Sequence, residues 1–141
     1  MKGRWAGYAL AVAAASLGAH PPLPPFTTTP SGLQYVDMRR GRGPSPAPGQ
    51  VCSVLYRGWL FNDRQRGRMF DSVQDPKRPF QFPLGQGRVI AGWDEGLATM
   101  KAGGKRVLII PPALAYGDRG AGNAVPPGAT LLFEVDLLAF R

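Results

Sequence analysis

The 141-residue chain has one histidine, His20, and one cysteine, Cys52. That poverty excludes a Cys/His zinc site, an intramolecular disulfide and most histidine-based catalytic triads. No nucleophile has a base beside it in the sequence, and there is no glycine-rich phosphate loop and no cluster of metal ligands. Acidic residues are also few, nine Asp and Glu against 17 Lys and Arg, for a formal charge of +8. The cations are scattered rather than grouped, so the balance reads first as a basic surface, with no nucleic-acid partner expected. The length suits one domain and one site.

The opening "MKGRWAGYALAVAAASLGA" places Lys2 and Arg4 before an uncharged, alanine-rich stretch from Trp5 to Ala19. This is the layout of a secretory signal peptide over residues 1–19 and is too short and weakly apolar for a spanning helix, an uncleaved anchor being the alternative. Export would take the protein to a bacterial periplasm, the outside of the cell or a thylakoid lumen. Residues 20–30, "HPPLPPFTTTP", hold five prolines and read as an extended spacer outside any core.

From Ser31 onward, short apolar runs alternate with Gly and Pro. In "VCSVLYRGWL", Cys52, Val54, Tyr56 and Leu60 share a face interrupted by Gly58, while Ser53 and Arg57 face the other way. Phe80, Phe82 and Leu84 repeat the pattern, "KRVLIIP" is a continuous apolar run, and Leu131, Phe133, Val135, Leu137 and Ala139 form another inward face. Only "GWDEGLATM" has helical spacing, with Trp93, Leu97 and Met100 on one side and Asp94 and Glu95 in the first turn, where carboxylates suit the helix dipole. A lone short helix hides its apolar stripe most economically against a twisted sheet. The expected fold is α+β, a five- to six-stranded twisted antiparallel β-sheet wrapped around one short α-helix, over residues 31–141. "NDRQRGR" (62–68) reads as a polar, basic excursion between strands, and the long loop 111–129 as a functional one.

The segments "VLYRGWL", "FDS", "PFQFPLGQGRVIAGWDEGLATMKAGGKRVLIIPPALAYG" and "VPPGATLLFEVDLL" resemble, in order, the signature blocks of the FKBP-type peptidyl-prolyl cis/trans isomerases. The resemblance implies an FKBP-like sheet around a helix and a hydrophobic pocket for a prolyl ring, with Trp93 as its floor. It places Tyr56, Phe70, Asp71, Trp93, Tyr116 and Phe133 in the catalytic site and Phe80, Val89, Ile90 and Val125 around the substrate, with Phe82 packed behind. The Ile90 N–H and the Tyr116 hydroxyl would donate hydrogen bonds to the bound segment. It implies no cofactor and, as partners, proline-containing segments of unfolded or partly folded proteins and macrolide inhibitors; the leader would make those partners exported proteins, and nothing in the sequence demands more than a monomer. The alternative is a proline-segment or macrolide binding module with little turnover and a chaperone or scaffold role.

Three departures from the family pattern stand out. The hairpin between Tyr56 and Phe70 is longer and carries Arg64, Arg66 and Arg68. Pro76 stands where the family commonly has an arginine near the pocket acid, leaving Lys77 or Arg78 to replace it. The rim segment "GDRGAGNAVPPG" is poor in bulky side chains, leaving mainly Val125 to meet residues flanking the proline.

Overall fold

The computed structural model describes residues 23–141. The signal peptide expected over 1–19 lies outside the described residues. Among them, no helix is long and apolar enough to cross a membrane. The elements are β1 (Thr27–Thr28), β2 (Gln34–Arg39), β3 (Val51–Asn62), β4 (Gln65–Val73), β5 (Phe80–Pro83), α1 (Ala91–Leu97), β6 (Lys105–Ile110), a 3-10 turn (Pro112–Leu114) and β7 (Leu131–Phe140). The strands make one seven-stranded sheet in the order β1-β2-β6-β7-β3-β4, with β5 also paired to β3. Every pairing is antiparallel. Along one edge of the long strand β3, β5 occupies Val51–Val54 and β4 takes over from Tyr56 onward.

The strand alternation resolves into two apolar layers. On the helix side, Cys52, Val54, Tyr56 and Leu60 of β3 join Leu131, Phe133, Val135 and Leu137 of β7, with Trp93, Leu97 and Met100 over them. On the other side, Val36, Met38, Trp59, Val107, Ile109 and Leu132 form a second buried cluster. This explains the unbroken apolar run of β6, since a strand covered on both faces has no polar side to show. It also gives the proline-rich stretch a place. Leu23 and Phe26 pack on the second cluster, and Thr27 and Thr28 pair with Tyr35 and Gln34. The described part of the stretch read as a spacer is therefore extended but attached, and it supplies the extra strand β1.

The helix ends at Leu97, short of the expected Met100, which is nonetheless buried after a turn closed by Met100 N–H to Leu97 O, 3.1 Å. It rests on β6 through two glycines: a Cβ at Gly92 would stand 2.5 Å from Ile110 Cγ2, and one at Gly96 2.7 Å from Leu108 Cδ2. Its two acids do tertiary work. Asp94 accepts the Gly85 and Gly87 N–H groups at 2.8 and 3.1 Å, and Glu95 accepts the Thr29 and Ser31 hydroxyls at 2.7 and 2.6 Å. At the other end of the helix, buried Arg106 clasps Asp37 through Nε and a terminal nitrogen at 2.7 and 3.1 Å, and donates to Gly96 O and Thr99 Oγ1.

Two local readings are corrected. The basic stretch 62–68 is no loose excursion: β3 and β4 continue through it and close at Asp63 and Arg64, both left-handed (φ 49° and 62°), the backbone a tight two-residue hairpin turn requires. Within it the Arg66 guanidinium lies 4.9 Å over the Trp59 ring and 2.6 Å from Glu134, which also pairs with Arg57 at 2.8 Å. Ala139 is exposed rather than inward. Between the Ser53–Ala139 and Val54–Leu137 pairs β7 carries an extra residue, Leu138, and this bulge reverses the side-chain parity so that Phe140 packs on the core.

Cys52, fully buried in β3, has its thiol pKa raised from the ordinary 9.0 to about 11, chiefly by burial and then by the Asp94 charge. The fold favours the protonated thiol, so its contribution to stability is present below about pH 9 and is lost as the pH rises towards about 11. Urea midpoints measured across that window should fall more steeply for the natural chain than for Cys52→Ala.

Candidate functional site

At the start of α1 the backbone turns out of the 85–90 loop, with Ile90 extended at φ −59°, ψ 149° as the residue before the helix. This brings Trp93 under a cavity of about 260 Å³ lined by Tyr56, Asp71, Phe80, Arg88, Val89, Ile90, Trp93, Tyr116 and Phe133. Six separate parts of the chain contribute. β3 and β4 supply Tyr56 and Asp71, β5 and β7 supply Phe80 and Phe133, the loop and first turn of α1 supply residues 88–93, and the segment after the 3-10 turn supplies Tyr116.

The indole of Trp93 is the hub of the aromatic set. Tyr56 stands edge-on to it at 4.8 Å and 84°, Phe133 at 5.3 Å and 85°, and Phe80 at 6.1 Å and 76°. Edge-to-face packing sets the positive rim of one ring against the negative face of the next, which holds the rings at fixed angles. Phe82 touches the indole from behind at 5.6 Å, does not line the cavity, and stacks on Phe80 at 5.8 Å. The gap in the β3 alternation at Gly58 has a steric cause. A Cβ there would come within 2.6 Å of Phe133 Cε1 and 3.0 Å of Phe70 Cζ, so any side chain would displace the ring wall.

The polar groups are few and aimed. The Tyr56 hydroxyl donates to Asp71 Oδ2 at 2.7 Å. Burial first, and then this bond to a carboxylate, push the Tyr56 pKa well above the ordinary phenol value. Tyr116 is raised too, by burial and then by the Asp71 charge, although 39% of the residue is exposed. Both phenols thus remain protonated donors at neutral pH. The Ile90 N–H and the Tyr116 hydroxyl meet no acceptor among the described residues. Nor does any Lys or Arg there lie within ion-pair distance of Asp71, so neither Lys77 nor Arg78 replaces the arginine missing at Pro76; the partner of Asp71 is Tyr56.

The family profile described as FKBP-type peptidyl-prolyl cis-trans isomerase matches residues 43–138. The chain belongs to this family. It is similar to the FK506-binding protein of Neisseria meningitidis serogroup B, 49% identical over 107 residues that cover 76% of this chain and 94% of the relative. FK506-binding protein 4 of Dictyostelium discoideum is 48% identical over 128 residues, 91% of this chain, but this chain spans only 34% of that longer protein. Among solved structures, a crystal structure of AtFKBP13 superposes with a TM-score of 0.73 at 39% identity, covering 84% of this chain and all (100%) of the other.

In this FKBP-type isomerase, eight of the ten residues expected at the site share the cavity and two do not. Phe70 is not among the residues lining the cavity; it is partly buried against the core and meets the Phe133 ring edge-on at 5.5 Å and 85°. Val125 is 2% exposed and packed in the core, so it cannot greet the residues flanking a proline at the rim. Its segment is folded inward by the Ala121–Val125 bridge, with both N–H to O bonds formed at 2.8 and 3.1 Å. Conversely, Arg88 lines the cavity and was not singled out from the sequence. Its one signal was its position directly before Val89 and Ile90.

Proposed function

We propose that this FKBP-type enzyme isomerises Xaa-Pro bonds of unfolded exported proteins by enclosing the prolyl ring in the aromatic cavity over Trp93. The observation that carries the reading is the pairing of an aromatic wall with two unspent donors, the Ile90 N–H and the Tyr116 hydroxyl, in a cavity whose one carboxylate, Asp71, is engaged by the Tyr56 hydroxyl rather than set beside a nucleophile as a base.

The chemistry needs neither. The barrier to rotation is amide resonance, about 18–20 kcal/mol, and no bond is broken. The twisted transition state has lost conjugation, so its carbonyl is less dipolar than that of the planar amide. A dry aromatic wall therefore disfavours the planar ground state more than the twisted form. Tyr56, Phe80, Trp93 and Phe133 supply that wall, Phe70 keeps Phe133 upright, and Val89 and Ile90 close the side nearest the helix. The Tyr116 hydroxyl and the Ile90 N–H hold carbonyls of the flanking peptide, concentrating rotation at one bond. Asp71 orients the Tyr56 hydroxyl.

The isomerase domain in this reading is residues 31–141 with the 23–30 arm attached, acting as a monomer. The charged start and uncharged 5–19 stretch support export, and the relatives' description as FK506-binding proteins supports macrolide inhibitors as ligands of the same cavity.

The test is the cis-to-trans rate of a short Xaa-Pro peptide followed by NMR exchange. The natural protein should accelerate it. Phe70→Ala should lose about tenfold, the equivalent of roughly 1.4 kcal/mol of transition-state stabilisation, and Asp71→Ala less, because it only frees the Tyr56 hydroxyl. A folded natural protein that binds the peptide without accelerating it would replace this reading with the proline-binding module.

A further inference from the structure

We infer that Arg88 makes this enzyme select proline segments that carry a carboxylate side chain beside the proline. The inference rests on the reading of the cavity given above. Among the nine lining residues Arg88 is the single cation and Asp71 the single anion. They are in opposite conditions. Asp71 accepts the Tyr56 hydroxyl at 2.7 Å, whereas the exposed Arg88 guanidinium has no ion pair or hydrogen bond among the described residues.

Nor is Arg88 a loosely strung surface charge. The Asp94 carboxylate grips the Gly85 and Gly87 N–H groups, and Gly87 takes the left-handed φ of 69°, so the backbone is tied to α1 up to the residue before Arg88. On the other side Val89 and Ile90 are half-buried in the wall. The guanidinium is thus tethered from a fixed point at the rim, which lowers the entropy lost when it pairs.

The neighbouring segments do not cancel it. The loop into β5 carries exposed Lys77 and Arg78 against Asp75, whose carboxylate already accepts the Lys77 N–H at 2.9 Å. Past Tyr116 come exposed Asp118 and Arg119, one of each sign. A carboxylate on a residue next to the bound proline therefore meets an unspent, fork-shaped donor, whereas a lysine there meets a cation.

The experiment compares kcat/KM for peptides with Glu, Gln or Lys placed in turn at the residues before and after the proline, in the natural protein, Arg88→Gln and Arg88→Glu. Each variant is normalised to its own Gln peptide. At one or more positions the natural protein should favour Glu over Gln by about two- to fivefold, the range of a partly exposed ion pair, through KM rather than kcat. The preference should vanish in Arg88→Gln, reverse in Arg88→Glu, and shrink at about 0.5 M salt. Equal Glu/Gln ratios in all three proteins, with the peptides still accelerated, overturn the role of Arg88 alone. No acceleration of any peptide by the folded natural protein overturns the role together with the isomerase reading beneath it.

Discussion

Trp93→Ala should lose about 3–5 kcal/mol of stability in urea unfolding, the usual cost of truncating a buried aromatic side chain. The same change should lower the peptide isomerisation rate on the order of a hundredfold, about 2.7 kcal/mol of transition-state stabilisation. Both losses trace to one geometry. Tyr56, Phe80, Phe82 and Phe133 all lean on the indole within 6.1 Å, so its removal leaves four rings without the surface that sets their angles.

Trp93→Phe separates the two effects. It keeps a ring beneath the cavity and also removes the indole N–H, which is buried and meets no acceptor among the described residues. An unpaired buried donor costs about 1–3 kcal/mol, so its deletion offsets much of the packing lost with the second ring. Trp93→Phe should accordingly unfold within about 2 kcal/mol of the natural chain and lose less than tenfold in rate. If Trp93→Ala keeps its rate while losing stability, the indole is only core and the floor lies elsewhere.

The second large effect lies on the opposite side of the sheet. A chain begun at Ser31 should be about 2–4 kcal/mol less stable than one begun at Leu23, since Leu23 and Phe26 each bury apolar side-chain area worth about 1–2 kcal/mol. It also loses the β1 pairing with Tyr35 and Gln34 and the Thr29 hydroxyl on Glu95. The uncovered cluster contains Trp59, so its emission should shift to the red in the shorter chain before any unfolding. Identical urea midpoints and spectra would show the arm to be a passenger.

That arm also marks where the sequence was least legible. Its prolines say "extended", and extended it is, but the period of a two-residue strand is invisible and the cluster it covers is assembled from residues as distant as Val36 and Leu132. β3 and β5 were legible because one face of each alternates cleanly. β2 was not, because Tyr35 packs on one layer and Val36 and Met38 on the other, which blurs the alternation. The β7 bulge at Leu138 cannot be read from a period of two, since it is the interruption of that period. At the site, Trp93, Tyr56 and Phe133 came together as the resemblance implied. Val125 did not, because burial of one side chain in a proline-rich loop is decided by a bridge that its neighbours' identities do not announce. Arg88 was passed over because an arginine in a glycine loop looks like solvated surface until the loop is seen pinned to the helix.

The strand order carries one last consequence, for the chain as it is made. β7, the last element in sequence, lies between β3 and β6 and pairs with both, so the sheet has no middle until residues 131–140 are in place. A nascent chain in which these residues are still inside the ribosomal tunnel holds two unjoined halves, β1-β2-β6 and β5-β3-β4, and neither closes over α1. Pairings as distant as Cys52 with Phe140 then require long loops to close, which places folding in the slow range of about milliseconds to seconds. Folding is thus a late event that follows the synthesis of β7.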